Sequence, residues 1–134
     1  MIEVAFFQES PKKCCGADSS ISESYSDKVL FIGFEASGHA GYDAYGRDIV
    51  CAAVSAILQT ALEGIQKVVG VQPRVYRRDR KGYLQVQLPL SLPEAQLHDA
   101  SILIRTAHSG LLCIAEQYPE FVRLNVRTKR PNNK

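Results

Sequence analysis

The stretch VLFIGFEASGHAGYDAYGRDIVCAAVS, residues 29–55, joins a strand pattern to a helix pattern through a glycine-rich loop. Val29 to Ser37 is mostly apolar, which is typical of a buried strand. From Ile49 to about Val69, apolar residues recur at helical spacing. We therefore expect a strand, a loop and a helix, in this order, at the centre of the fold. The other elements lie before and after this stretch in the chain.

Patterns on both sides of this centre predict four more strands and a second helix. Met1 to Gln8 alternates in polarity, as a strand does. The later elements are a hairpin (Pro73 to Arg80 and Tyr83 to Leu90), a helix opening at the capping-box pattern Ser91-Leu92-Pro93-Glu94 and ending near Tyr118, and a strand from Phe121 to Arg127. The order β-β-α-β-β-α-β predicts an α+β fold with two layers, in which two helices pack on a largely antiparallel sheet.

The chain length of 134 residues suggests one domain spanning residues 1–134. Residues 10–28 are rich in Ser, Lys, Asp, Glu and Gly and contain Pro11, which predicts a mobile surface loop. Residues 128–134 form a polar tail.

Composition and charge give no indication of a nucleic-acid, membrane or metal partner. A net charge of +2 requires neither a nucleic-acid partner nor a membrane. No signal-peptide pattern opens the chain, and no apolar run was expected to reach the ~20 residues that span a bilayer. The four cysteines match neither a zinc ribbon nor a disulfide framework, so we expect free thiols, no metal and a cytoplasmic location.

Cys51 stands near the predicted start of the first helix. Asp48 is the natural N-cap, which makes Cys51 the third helical residue. Unpaired backbone N–H groups and the helix dipole in a first turn favour a reactive thiolate and can also hold an oxyanion. Asp48, Cys51 and Ser55 share one helix face because they lie three and four residues apart.

His39 precedes Cys51 by twelve residues, in a loop long enough to bring its imidazole to the sulfur. A paired cysteine and histidine is a common arrangement for nucleophilic catalysis. The same residues also fit a plainer interpretation, in which Cys51 is a small core residue and His39 an ordinary loop histidine. Spacing alone does not decide between these interpretations.

The run GHAGYDAYGRDIVCAAVSAI carries a more specific signal. It closely resembles the signature of the Prp family, the ribosomal-processing cysteine proteases of bacteria. The likeness extends to the opening strand, to GYLQVQL and to IAEQYPEFVRL, and therefore covers most of the chain.

This resemblance implies an α+β homodimer that works without a cofactor. It implies a cysteine endopeptidase that removes the N-terminal extension of the large-subunit ribosomal protein numbered twenty-seven, after a Phe-rich motif. The implied catalytic residues are Cys51 and His39, supported by Asp48 and Ser55. Gly38 and Gly46 fall in a loop that closes over substrate, where Tyr42 and Tyr45 are placed to line an apolar groove.

Two other functions remain open from the residues. Basic residues crowd the predicted hairpin at Arg74, Arg77, Arg78, Arg80 and Lys81, which suits a non-catalytic ribosome-assembly or RNA-binding factor. A thiol sensor using Cys14, Cys15 or Cys51 is a third, weaker hypothesis.

Overall fold

The computed structural model describes residues 1–9, 30–38, 45–78 and 82–129, with the backbone alone at 45–48 and 129. The elements are β1 (Ile2–Glu9), β2 (Leu30–Ser37), α1 (Tyr45–Glu63), β3 (Arg74–Arg78), β4 (Tyr83–Gln87), α2 (Glu94–Gln117) and β5 (Val122–Lys129). A π-helical stretch, Gly64–Val69, continues α1. The predicted order of elements is confirmed, whereas the 10–28 loop and residues 130–134 of the polar tail lie outside the described residues.

The five strands form one mixed sheet in the order β3-β4-β2-β1-β5. The pairs β1–β2, β2–β4 and β3–β4 are antiparallel, as expected for a largely antiparallel sheet. The exception is β5, which runs parallel to β1 at the opposite edge from β3. A parallel pair needs a long connection, and α2 belongs to the chain segment that leads into β5.

Both helices cover one face of the sheet, which we call the inner face. Successive side chains of a strand point to opposite faces. Val4 and Phe6 therefore join the main core with residues of both helices, while Ala5 and Phe7 form a small apolar cluster on the outer face. Alternation along the strands thus produces two layers with one dominant core.

A β-bulge in β2 adapts the sheet to α2. The pairing register shifts between Phe7 and Gln8, so that both Phe31 and Phe34 contact Phe6 in the core. The backbone N–H of Phe31 donates a hydrogen bond of 2.8 Å to the buried Ser101 hydroxyl on α2. The bulge therefore leaves an amide that α2 satisfies.

The helix formed by α1 and its π-helical continuation is a core element. By length and composition alone, Ile49–Val69 (21 residues, mean hydropathy 1.5) is long and apolar enough to cross a membrane, which corrects the expectation from sequence. In the fold, its buried residues pack against α2 and the sheet; they are Val50, Val54, Leu58, Ala61, Leu62 and Ile65. The helix ends at Gly70, whose φ of 81° favours glycine.

Two sequence expectations about element ends are wrong. The capping box at Ser91 does not form, since Pro93 is the N-cap of α2 and no side chain caps it. Val126, expected in the core, is exposed, whereas Val122 of the same strand is buried. Neither difference alters the architecture.

Candidate active site

A cleft of about 200 Å³, which we call the Cys51 cleft, opens between the end of β2 and the second turn of α1. Ser37 and Gly38 line it from the strand, and Cys51 and Ser55 line it from the helix. Its other walls come from β1, β2, the body of α1 and the β3–β4 hairpin: Ile2, Ala36, Val54, Leu58, Gln59, Arg77, Gly82, Tyr83 and Leu84. A free thiol thus lies in a concave site with mostly apolar walls and a few polar groups.

Cys51 is half-buried, and its thiol is free. Ser55 follows it by four residues and is exposed on the same side of α1. The structure therefore brings together two of the four residues expected at the catalytic centre. Cys51 also packs against the main core, so it contacts both the core and the cleft.

The start of α1 differs from the sequence expectation. The helix begins at Tyr45, so Asp48 lies within its first turn rather than at the N-cap. Cys51 is consequently the seventh helical residue rather than the third, and the dipole effect is confined to the first turn. In a helix that begins at Tyr45, the described N–H groups without intrahelical acceptors are those of residues 45–47, at least one turn before the sulfur.

Gly38 closes the strand side of the cleft in a conformation that requires glycine. Its φ is 109°, and a Cβ atom there would collide with the backbone carbonyl of Met1. A positive φ and a backbone neighbour together exclude other residues. The close packing against the start of β1 fixes the point from which the next segment departs.

The other loop candidates are only partly described. His39 and Tyr42 lie outside the described residues. Tyr45, Gly46 and Asp48 belong to α1 by their backbone, and their side chains are not described. The predicted pairing of His39 with Cys51 therefore stays a prediction.

Arg77 and Gln59 form a polar wall of the cleft that sequence reasoning did not assign to the site. The Arg77 guanidinium donates a hydrogen bond of 3.0 Å to the Gln59 side-chain oxygen on α1. Arg77 was grouped with the basic hairpin, although strand alternation distinguishes it from Arg78. Arg77 pairs with Leu84, whose side chain faces inward, so Arg77 faces inward as well. The alternation of side chains along β3 could therefore have indicated that Arg77 lies on the side of the cleft.

Tyr83 is a second residue that sequence reasoning missed. Its hydroxyl donates a hydrogen bond of 3.0 Å to Glu35, and the other Glu35 oxygen lies 3.2 Å from the Arg127 guanidinium. Burial, followed by the hydrogen bond and the negative charge of Glu35, raises the pKa of the Tyr83 phenol. The hydroxyl therefore remains protonated and donating at neutral pH.

The remaining candidates lie away from the cleft. Cys113 is exposed on α2, and Cys14 and Cys15 lie outside the described residues. His108 packs edge-on against Phe6 and Phe31, as expected for a core-side histidine, and burial lowers its pKa. In the part of the chain that the structure describes, no three His, Cys, Asp or Glu side chains gather in an arrangement suited to a metal ion.

The chemistry of this cleft agrees with comparisons to known proteins. The family model for the cysteine protease Prp matches residues 19–123, which is well over half of the chain. The ribosomal processing cysteine protease Prp of Bacillus subtilis is 28% identical over 106 residues, covering 79% of this chain and 93% of that protein. The protein of the same name from Staphylococcus aureus is 30% identical over 90 residues, covering 67% and 81%.

Solved structures share the fold. SMU.848 from Streptococcus mutans superposes with a TM-score of 0.74 at 24% identity, with 96% of both chains covered. The essential ribosomal processing protease Prp from S. aureus, solved with a substrate peptide, superposes with a TM-score of 0.70 at 24% identity, covering 95% of this chain and 100% of that one. With the sequence matches and the free thiol in its cleft, these likenesses lead to one conclusion: the chain belongs to the Prp family of cysteine proteases, hydrolases that act on peptides.

Proposed function

We propose that this protease removes the N-terminal extension of the large-subunit ribosomal protein numbered twenty-seven. Cys51 is the nucleophile in this proposal, and its half-buried free thiol in the cleft is the observation that carries it. The relatives named ribosomal processing cysteine proteases support a ribosomal substrate. No cofactor enters the proposed reaction.

His39 is the proposed general base. It is bonded directly to Gly38, and Gly38 lines the same cleft as Cys51. The Prp-like signature, in which His39 precedes Cys51 by twelve residues, supports this role. Asp48 and Ser55 lie one turn before and one turn after Cys51 on α1, which suits the supporting roles expected for them.

The reaction then follows the usual course of thiol proteases. His39 takes the proton of the Cys51 thiol, and the thiolate attacks the scissile carbonyl carbon. The unpaired N–H groups at the start of α1 hold the resulting oxyanion, and protonated His39 gives its proton to the departing amine. Water, deprotonated by His39, hydrolyses the thioester and releases the carboxylate product and the free thiol.

The walls of the cleft suit an apolar substrate. Val54, Leu58 and Leu84 present hydrocarbon surface beside the thiol. These walls support cleavage after a Phe-rich sequence, because aromatic side chains gain most from leaving water. We further propose that the loop from Gly38 to Gly46 closes over the bound peptide and that Tyr42 and Tyr45 contact it.

A homodimer in the cytoplasm completes the proposal. Ile102 and Leu112 are large apolar side chains exposed on α2. An apolar groove of about 410 Å³ also lies between the helices, lined by Ala56, Ile57, Thr60, Ala61, Leu103, Thr106, Ala107 and Gly110. Sedimentation measurements test the dimer, and a monomer at micromolar concentration would reject it.

The test of the function uses a synthetic peptide that carries the host's ribosomal extension and several residues beyond it. Mass spectrometry after incubation with the protein should find two fragments divided at one bond after the Phe-rich motif. A second peptide, with the phenylalanines replaced by alanine, should be cut at least about tenfold more slowly. An intact first peptide in the presence of folded protein would reject the proposed substrate.

The exposed basic edge of the sheet favours the alternative, a non-catalytic RNA-binding or ribosome-assembly factor. All five residues of β3 are exposed, and Arg74, Arg77 and Arg78 are among them. No carboxylate of the described residues lies within ion-pair distance of these three guanidinium groups. Binding of ribosomal RNA with a steep salt dependence, without peptide cleavage, would support this alternative.

A further inference from the structure

A second groove lies on the outer face of the sheet, beside the end that carries the Cys51 cleft. Its volume is about 480 Å³, and its lining residues are Ser37, Tyr76, Arg78, Tyr83 and Gln85. We call it the tyrosine groove. Cross-strand pairing explains its composition, since Tyr76 is paired with Gln85 and Arg78 with Tyr83 on the outer face of β3 and β4.

The tyrosine groove adjoins the Cys51 cleft. Ser37 and Tyr83 line both spaces, one at the end of β2 and the other at the start of β4. A peptide extended across this end of the sheet would contact the inner and outer spaces in succession. An extended chain advances ~3.3–3.6 Å per residue, so the two spaces correspond to different residues of one bound peptide.

Tyr83 is held in place as the partition between the two spaces. The Glu35 carboxylate, only 25% exposed, accepts a hydrogen bond from the Tyr83 hydroxyl, and Arg127 pairs with the other carboxylate oxygen. The ring of Tyr83 meets the ring of Tyr76 edge to face, with centroids 5.9 Å apart. Strands β2, β4 and β5 thus combine to fix one aromatic wall.

The chemistry of the groove favours a flat aromatic side chain. The Arg78 guanidinium lies 5.6 Å from the centroid of the Tyr76 ring, and its Nε donates a hydrogen bond of 2.7 Å to the Tyr76 hydroxyl. Two rings and a flat cation offer edge-to-face and cation–π contacts to a third ring. Arg78 keeps its Nη groups for other partners, so a carboxylate is the competing occupant that the peptide comparison below must exclude.

We propose that the tyrosine groove is a specificity subsite that binds an aromatic side chain of the substrate peptide, away from the scissile bond, and that Glu35 is the positioning residue for its Tyr83 wall. This inference rests on the proposed proteolytic function of the Cys51 cleft. It adds Tyr76, Arg78 and Tyr83 to the residues that select substrate.

The test compares peptides that carry a single phenylalanine or alanine at successive positions on either side of the cut bond. For each position, the ratio of kcat/KM for the two peptides is measured with the wild type and with Tyr76→Ala. One position should lose about five- to tenfold of its aromatic preference in the variant, through KM rather than kcat. The ratio is independent of the folded fraction, because both peptides meet the same enzyme.

Two matched variants complete the design. Tyr118→Ala removes a tyrosine of similar exposure (43%, against 48% for Tyr76) that stacks on Phe121, next to β5 at the opposite edge of the sheet from β3, and it should leave every ratio unchanged. Glu35→Ala should lower the same ratio as Tyr76→Ala. Glu35→Gln keeps an oxygen that accepts the Tyr83 hydroxyl and should restore most of the ratio.

Unchanged ratios at every position in Tyr76→Ala, with cleavage intact, would overturn the subsite and leave the protease function standing. A glutamate preferred over phenylalanine at the responsive position would overturn the aromatic assignment. If the wild type cuts none of the peptides, the proposed substrate fails. Their binding to Cys51→Ala, measured by fluorescence anisotropy, then tests the groove by itself, and equal affinity for phenylalanine and alanine peptides would overturn it.

Discussion

The two helices carry the same kinds of polar side chain, and the fold gives them different uses. On α1, Cys51 and Ser55 line the cleft at the end of β2. On α2, Cys113 is exposed, and Ser101 is buried with its hydroxyl oxygen bonded to the backbone of Phe31. A cysteine and a serine therefore line a cleft on one helix, whereas on the other the serine is buried in the packing and the cysteine is exposed.

The position of each helix against the sheet explains the difference. α2 packs on β2, so its inward polar groups must find partners among buried backbone atoms. The second turn of α1 lies where β2 ends and the backbone turns away at Gly38, which leaves an open space beside the thiol. Access at a strand end, rather than residue type, separates the side chains that line the cleft from the structural ones.

The largest expected effect compares the two described thiols. Cys51→Ala should lower kcat/KM for peptide cleavage at least about 1,000-fold, because no other group replaces the nucleophile. Cys113→Ala should leave kcat/KM within about twofold. Alanine favours helices, so both variants should keep the melting temperature of the wild type, and equal activity of the two variants would break the comparison.

The next effect compares the two serines and is measured by urea denaturation. Ser101→Ala leaves the Phe31 amide without its acceptor, which should lower the free energy of unfolding by about 1–3 kcal/mol. Ser55 is exposed, and Ser55→Ala should change the same quantity by less than about 0.5 kcal/mol. Equal losses in the two variants would show that the Ser101 hydrogen bond adds no net stability.

Periodicity predicted the fold well because alternation and helical spacing are recorded locally in the chain. The seven elements, their order and the core residues Val4, Val54 and Ile104 follow from it. The parallel partner of β1 and the bulge at Ile32 do not, since both depend on contacts between distant segments. The same limit applies to Glu35 and Arg127, which meet across a sheet although 92 residues separate them.

The sequence predicted those residues of the candidate site that lie within one short motif. Cys51 and Ser55 lie within a single stretch of recognisable sequence, and the cleft holds both. The preference of aspartate for N-caps places Asp48 at the N-cap, but the helix extends four residues further towards its N-terminus than this predicts. Tyr83 and Arg77 come from a distant hairpin, and only the register of β3 and β4 reveals which face each one occupies.

The smallest expected effect concerns His108, the histidine that α2 places on the core side. Burial against Phe6 and Phe31 lowers its pKa below the ordinary 6.5. Below pH ~6.5, the unfolded chain therefore binds more protons at this residue than the folded protein does. Its contribution to stability is complete above that pH and is lost as the pH falls from ~6.5 toward the lower pKa of the folded state.

His108→Phe keeps a ring in the aromatic cluster and removes the titrating group. Between about pH 7.5 and pH 5.5, calorimetry should find a smaller fall in melting temperature for this variant than for the wild type. Peptide cleavage at pH 7.5 should not change, because the His108 ring packs in the core rather than in the Cys51 cleft. If the melting temperatures of the two proteins fell equally across this pH range, the ring would accept a proton as readily among Phe6 and Phe31 as in water. The contrast between α1 and α2 would then rest on the thiols and serines alone.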